Sequence, residues 1–555
     1  MDNARAARGS KGWGALEPLR QPAFRTIWLG SIVGNFGQLI LGVGAAWEMT
    51  RLASADMVAL VQTALMVPIM LVSVPAGAIA DMFDRRKIAL VGLSFASACA
   101  ATLTALAIFG LTTPWVLLAF CSLIGAGVAL YSPAWGASIS EQVDAKRLPA
   151  AIALGSISYN VARSFGPAVG GVIVATAGAR AAFGTNAIAY LPLLAAFFMW
   201  RRKHVAPRLP PERIDRAIIS GTRYVLHSPP VRNVLLRAFS FGVASAAAAA
   251  LVPLAARYLL AGNASTYGLL LGCSGVGAVG GALLVSAVRE HVKAEHAYAA
   301  CAIVGGLMIV GIGLSRSMLL TGAFMAVAGA VNMLAIALLN VAVQLSVPRW
   351  VAARALAWFQ ASLTGGVAIG AFIWGIVAAH WGVSHAFLAS GITLTLTPLI
   401  GLLLPIPRVS AADVELIDIG HEPEVVLAIT ARSGPIVIEI DYRVAVADAR
   451  NFYNVMLRLQ RVRQRNGAFD WSIARNIVDP ELWTERYGCP TWADYLRQRS
   501  RLTQGDRALQ ASADSFDKGG HSARVRRRLE RPFGSVRWQA DTPDVMGDSI
   551  TAYTS

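Results

Sequence analysis

The sequence predicts an all-α polytopic membrane protein carrying a small α+β domain at its C-terminal end, and three observations support that expectation. Hydrophobic residues make up 55% of the 555-residue chain and charged residues only 15%, a balance too apolar for a soluble multidomain enzyme. Up to residue 404 the apolar residues fall in runs near the ~20 that a helix needs to cross a bilayer core. Beyond Pro407 those runs stop, and short alternating stretches replace them.

The apolar segments lie at 25–47, 57–80, 88–110, 114–136, 149–177, 181–200, 231–258, 265–288, 297–315, 318–343, 351–380 and 384–404, twelve in all. The basic, proline-punctuated stretch Arg201–Pro230, with a short amphipathic helix expected over Glu212–His227, divides six from six and reads as a linker. The chain therefore divides into an N-terminal tail (1–24), a six-helix bundle (25–200), a linker (201–230), a second bundle (231–404), a second linker (405–424), an appended domain (425–532) and a tail expected to be disordered (533–555).

Lysine and arginine concentrate in the N-terminus, in the loops at 81–87, 141–148, 201–230, 289–296 and 347–354, and past 405. The alternate loops hold isolated cations such as Arg51, Arg180 and Arg316. Positive residues are retained in the cytoplasm, so both termini are expected there, with the chain crossing the inner (plasma) membrane many times. The net charge of +17 is explained by this bias and by anionic headgroups. No nucleic-acid motif accompanies it, so no nucleic-acid partner is expected. The five cysteines are scattered, four of them in apolar runs, with no zinc spacing or disulfide framework. No metal, cofactor or removable signal peptide is expected.

The halves resemble each other when shifted by 204 residues: Val143–Gly178 aligns with Val347–Gly382, placing Gly166 on Gly370, Gly171 on Gly375 and Gly178 on Gly382. Together with the six-plus-six count, this points to two repeated bundles with a site at their interface near the membrane midplane.

Two stretches carry the functional expectation. Pro75–Lys87, PAGAIADMFDRRK, packs charges between two apolar runs and must lie at a membrane surface. Its Gly77, Asp81, Arg85 and Arg86 resemble the loop signature of the major facilitator superfamily between the second and third helices, although Met82 stands where an arginine is usual and Asp84 where a glycine is. Gly77, Asp81, Asp84, Arg85 and Arg86 are expected to form a conformational latch. An acid can face the N-terminal end of a neighbouring helix, and the resemblance supplies one, the start of the eleventh span past Pro348. The second stretch, in the fifth span, runs from Asn160 to Gly171. Its Gly166, Pro167, Gly170 and Gly171 resemble the superfamily's exporter signature and should let the helix bend and pack closely. A cation inside a span costs at least ~2.5–3.5 kcal/mol, so Arg163 should face a polar cavity or a partner.

Asn35, Gln38, Asn160, Asn340 and Gln360 join Arg163 as candidates for the transport cavity and coupling. Asn332, Gln344 and Thr364 are further polar residues within spans, and Trp135, Trp358, Phe359 and Trp374 are expected apolar walls. No carboxylate sits mid-span: Glu48 and Asp56 lie at one end of their spans and Asp81, Asp84 and Glu141 at the other, leaving the proton carrier unassigned.

The run from Val58 to Lys87, Phe24–Trp28, Asn35–Gly37, Ser132–Ala137, Ala151–Gly171 and the run from Leu339 to Ala357 resemble the enterobactin-exporter-like branch of the superfamily, the transmembrane secretion effectors. The resemblance implies the twelve-helix fold and proton-driven, alternating-access export of a small organic molecule such as a drug, siderophore or secondary metabolite. Its partners would be that molecule, protons and membrane lipid.

In the appended domain, strand-like 436–444, helical 447–465, strand-like 468–478 and 482–489, helical 492–516 and strand-like 523–529 follow the β-α-β-β-α-β order of a ferredoxin-like unit. Ile438–Tyr442, Arg458–Asp470 and Pro490–Arg497 resemble the antibiotic-biosynthesis-monooxygenase-like dimeric barrel. Trp471, Tyr487 and His521 form no recognisable catalytic constellation, so dimerisation or regulation is expected rather than catalysis. A membrane-anchored, cofactor-free monooxygenase-like enzyme is the competing reading.

Overall fold

The apolar runs become helices whose starts are set by local chemistry. The computed structural model describes residues 16–144, 147–201, 222–348, 351–406, 423, 425–427, 429–518 and 525–530. They fall in two compact units. The first holds the residues up to 214 with 233–342 and 356–406; the second gathers 215–232 and 343–355 with everything from 407 onward.

In the first unit, α1 (Pro22–Leu52) opens on a proline, and α2 (Ala55–Met82) follows a tight break. The α3 helix (Arg85–Ile108) is capped by the Asp84 carboxylate, which accepts from the backbone of Arg86 and Lys87. Thr113 caps α4 (Pro114–Gln142). Next come α5 (Leu148–Met199), α6 (Pro229–Ser245) and α7 (Ala264–His291), the last opened by an Asn263 and Thr266 capping box. The series ends with α8 (Ala294–Leu314), α9 (Met318–Leu345), α10 (Ala352–Trp381) and α11 (Val383–Leu396).

Among the described residues ten helices are long and apolar enough to cross a membrane, against twelve expected spans. Two places account for the difference. Spans expected at 149–177 and 181–200 are joined in α5, 52 residues that leave helical dihedrals only at Gly178 (φ 80°, ψ 171°). A straight helix of that length would run roughly 78 Å, far more than one crossing. The span expected at 231–258 is divided into α6, two helical turns at Ala247–Ala250 and Val252–Leu254, and a π-helical turn at Ala255–Leu259. Pro253 lacks the amide a continuous helix would use there.

Small residues set the packing, as expected where lipid removes the hydrophobic drive between helices. Gly30, Gly37 and Gly44, seven apart on α1, lie against Leu193, Ala189 and Ala182 of α5. A methyl on Gly37 would come within 2.4 Å of the Ala189 side chain.

The second unit contains an antiparallel sheet of β1 (Ile436–Arg443), β2 (Phe469–Arg475), β3 (Leu482–Cys489) and β4 (Val525–Leu529), in the order β2-β3-β1-β4. Ile438 pairs with Tyr487 on one side and Arg527 on the other. The helix α12 (Ala449–Arg465) buries Phe452, Met456 and Leu459 against Tyr442 and Trp483 of the sheet. The single helix expected over 492–516 is two, α13 (Trp492–Ser500) and α14 (Gln504–Asp514). Thr503 starts the second with a capping box to Asp506, which competes successfully with helix continuation. Of the helix expected at 212–227, residues 222–226 are described and helical. There Tyr224 is buried, the Arg465 guanidinium lies 5.2 Å from its ring centre, and Arg465 pairs with Asp506 at 2.5 Å. Burial pushes the Tyr224 phenol up to about 12.

Candidate substrate cavity

Residues four apart on a helix share a face, and Tyr159, Arg163 and Pro167 of α5 form such a stripe. It lines a cavity of about 360 Å³ whose walls come from both halves of the first unit. The first half contributes Val43, Gln62 and Met66 besides the stripe, and the second contributes Phe241, Tyr267, Ser274, Asn332 and Thr364. Arg163 is the only charged residue among the described wall residues. It stands fifteen residues into α5, about 22 Å along the axis and midway to the Gly178 break.

Several contacts join the halves. Trp47 stacks on Tyr267 with ring centres 6.4 Å apart, and Arg257 donates to the Thr50 carbonyl. Thr63 Oγ1 donates to the Ala368 carbonyl at 2.9 Å. Gly171 and Gly268 meet backbone to backbone: a methyl on Gly171 would come 2.5 Å from the Gly268 Cα. Gly375 sits against the Ala59 side chain, which a methyl on Gly375 would approach to 2.5 Å.

The other residues singled out in the sequence have varied placements. Asn332 and Thr364 are on the wall, whereas Asn35, Gln38, Asn340 and Gln360 are not among its residues. Asn35 Nδ2 donates to Ser158 Oγ at 3.1 Å and Ser31 Oγ lies 3.0 Å from the same oxygen, a polar ladder that ties α1 to α5. Gln360 is exposed, and the Asn160 side chain lies outside the described residues. Of the expected aromatic walls, Trp374 donates from Nε1 to the Val243 carbonyl at 2.8 Å, Phe359 is buried, and Trp135 packs between Phe24 and Phe197. None of these, nor Trp358, lines the cavity. Gly166 and Gly170 face Leu39, Ile40 and Val43 of α1, where a methyl would meet neighbours at 3.1–3.2 Å. Helical dihedrals continue through Pro167. Gln62 was missed, although a lone amide in the run from Val58 was visible as a polar residue within a span.

In the basic loop, Asp84 is the α3 cap. Arg85 Nη1 donates to the Ala137 carbonyl at 2.7 Å and to Glu141 Oε1 at 3.0 Å. Arg86 donates to the carbonyls of Phe197 at 2.9 Å and Phe198 at 2.5 Å. These bonds tie α3 to α4 and to the end of α5, all within the first half. Gly77 and Asp81 belong to α2, but their side chains lie outside the described residues. The second half has a pin the sequence reading missed. Arg237, 1% exposed, pairs with Glu295 at 2.7 Å and sits over the Tyr298 ring at 4.4 Å, while Glu295 accepts from the Ile406 amide at 2.9 Å.

The family model of transmembrane secretion effectors matches residues 13–533. The chain belongs to that family. It is 25% identical over 349 residues to an uncharacterized MFS-type transporter, YfiS, of Bacillus subtilis (strain 168), covering 60% of this chain and 81% of the relative. It is 24% identical over 295 residues to the staphyloferrin A transporter of Staphylococcus aureus (strain NCTC 8325 / PS 47), covering 52% of this chain and 70% of the relative. Among solved structures, a POT family transporter in complex with 5-aminolevulinic acid superposes with a TM-score of 0.55 at 15% identity, covering 69% of this chain and 96% of that one. The chain is thus a multi-pass membrane protein with the fold of MFS-type transporters.

No group of three or more metal-ligating side chains occurs among its described residues. In its appended domain, Glu485 is fully buried and fully engaged. It accepts from Arg463 Nε at 3.0 Å, Trp471 Nε1 at 2.8 Å and Tyr442 Oη at 3.2 Å. The Tyr487 ring lies 5.0 Å from the Arg463 guanidinium, and His521 lies outside the described residues. A carboxylate with these partners holds the sheet to α12 and leaves Trp471 committed to the core.

Proposed function

We propose that the protein is a secondary active transporter that exports a small organic molecule across the inner membrane by alternating access, coupled to protons. The observation that carries the reading is the cavity: its walls come from both halves, its one cation stands midway along the first arm of α5, and its volume of about 360 Å³ suits a small organic ligand. Twelve crossings follow if α5 counts twice around Gly178 and the broken stretch 229–259 counts once, since ten helices already qualify. With the basic loops cytoplasmic, the termini are cytoplasmic too. Gly77, Asp81, Asp84, Arg85 and Arg86 form the latch at that surface. Arg85 and Arg86 hold α3, α4 and α5 as one body. The siderophore named for the staphylococcal relative supports a small organic substrate here.

The appended domain is a ferredoxin-like unit, as its order β2-β3-β1-β4 supports. Its role is regulation or homodimerisation rather than catalysis.

The test is uptake of a compound panel into inside-out vesicles. Accumulation should require an acid interior and collapse with an uncoupler. Arg163→Ala and Asp81→Asn should each lower it at least about tenfold, the loss expected when a charge-bearing contact is removed. Accumulation indifferent to the proton gradient would remove the coupling, and wild-type rates in both variants would remove the site.

A further inference from the structure

We propose that the molecule taken up by the cavity carries an anionic group (carboxylate, sulfonate or phosphate) that docks on Arg163, with an apolar body against Phe241 and Met66. The inference rests on the transport reading and adds the substrate's charge to it. Arg163 is the sole charged residue among the described wall residues, and no described carboxylate or carbonyl accepts a bond from its guanidinium. Its guanidinium therefore gives the cavity wall a positive charge. Low-dielectric walls focus that charge, attracting anions and repelling cations.

Other polar groups on the wall suit the same occupant. Gln62 and Asn332 each bring an amide with N–H donors to the wall, and neither has a hydrogen-bond partner among the described residues. The Thr364 hydroxyl instead donates to the Gln360 carbonyl at 2.7 Å and can only accept. The repeat offers no counter-charge, because 204 residues on from Arg163 the wall presents Val367. Two free amides and an unneutralised fork of five N–H donors make a receptor for an oxyanion.

The test uses the full chain in phosphatidylcholine vesicles and a panel in which each skeleton is offered as carboxylate, neutral amide and amine. Flux and thermal stabilisation are both read. Wild type should favour the carboxylate at least about tenfold in both readouts. Arg163→Gln should bring the three forms within about twofold of each other, and Arg163→Lys should restore part of the preference. Flux without charge preference, or a preference that persists in Arg163→Gln, overturns the anion site and leaves the transport reading standing. Stabilisation by carboxylates that vanishes in Arg163→Gln, without flux of any form, supports the anion site and removes the transport reading. Doping the vesicles with phosphatidylglycerol separates the two sources of the anion. If a lipid headgroup is the occupant, the doped vesicles stabilise wild type but not Arg163→Gln, and soluble carboxylates do nothing.

Discussion

Two stretches of the membrane unit, the first arm of α5 and the helix α10, share one frame yet differ in chemistry. Gly178 and Gly382, at matching positions, both hold positive φ, 80° and 91°, with extended ψ, so each arm ends in the same glycine-favoured conformation. Gly166 lies against α1 and its counterpart Gly370 against α6. Gly171 touches α7 across the seam, and Gly375 touches α2. Tyr159 and Leu363, then Arg163 and Val367, occupy matching places on the same cavity wall. The repeat therefore fixes where backbones meet and which positions face the cavity. It leaves the side chains at those positions free to diverge, and the charge sits on one side only.

The largest effect should come from the seam. Gly171→Val places atoms where the Gly268 backbone already lies, and loss of folded protein is expected on size exclusion. Gly171→Ala and Gly375→Ala, each bringing a methyl within 2.5 Å of a neighbour, should destabilise by about 1–3 kcal/mol in thermal unfolding. If the two arms are equivalent their losses will match, and unequal losses would break the parallel. Gly136→Ala, with open space around it, should change nothing.

Next come the pins. Glu295→Gln removes the counter-charge of Arg237, 1% exposed, leaving its 3.3 Å bond to the Leu404 carbonyl, and should cost about 3 kcal/mol. Glu141→Gln leaves Arg85 its bond to the Ala137 carbonyl and some exposure, and should cost about 1 kcal/mol by the same melt. A smaller effect is expected from moving the charge across the repeat. Arg163→Val combined with Val367→Arg should recover anion preference to within about twofold of wild type in competition flux, if the cavity reads charge more than position. The smallest concerns Trp374, which stands where α5 has Gly170. Trp374→Phe removes one bond to the Val243 carbonyl and should lower stability by about 1 kcal/mol.

Much of this architecture was legible in the sequence. Apolar length marks helices, and the strand boundaries of the appended domain fall within a few residues of the alternating stretches. Rotation about each helix axis was not legible, because a polar residue in a span can be satisfied by whichever neighbour it happens to face. Asn35 faces Ser158, whereas Gln62, on the next helix, faces the cavity. Arg85 and Arg86 are adjacent, yet successive side chains point about 100° apart. One therefore reaches α4 and the other the end of α5. The break in the 231–258 span went unread because an alanine-rich run around Pro253 scores as continuous helix.

The meeting of Gly171 with Gly268 has a consequence for how the sequence can drift. Most contacts in a protein interior can exchange size, one residue growing as its neighbour shrinks. Here both partners are already the smallest residue available, so neither has anything to give up. The two positions form a dead end for compensated change, and an alteration there has to be met by moving whole helices.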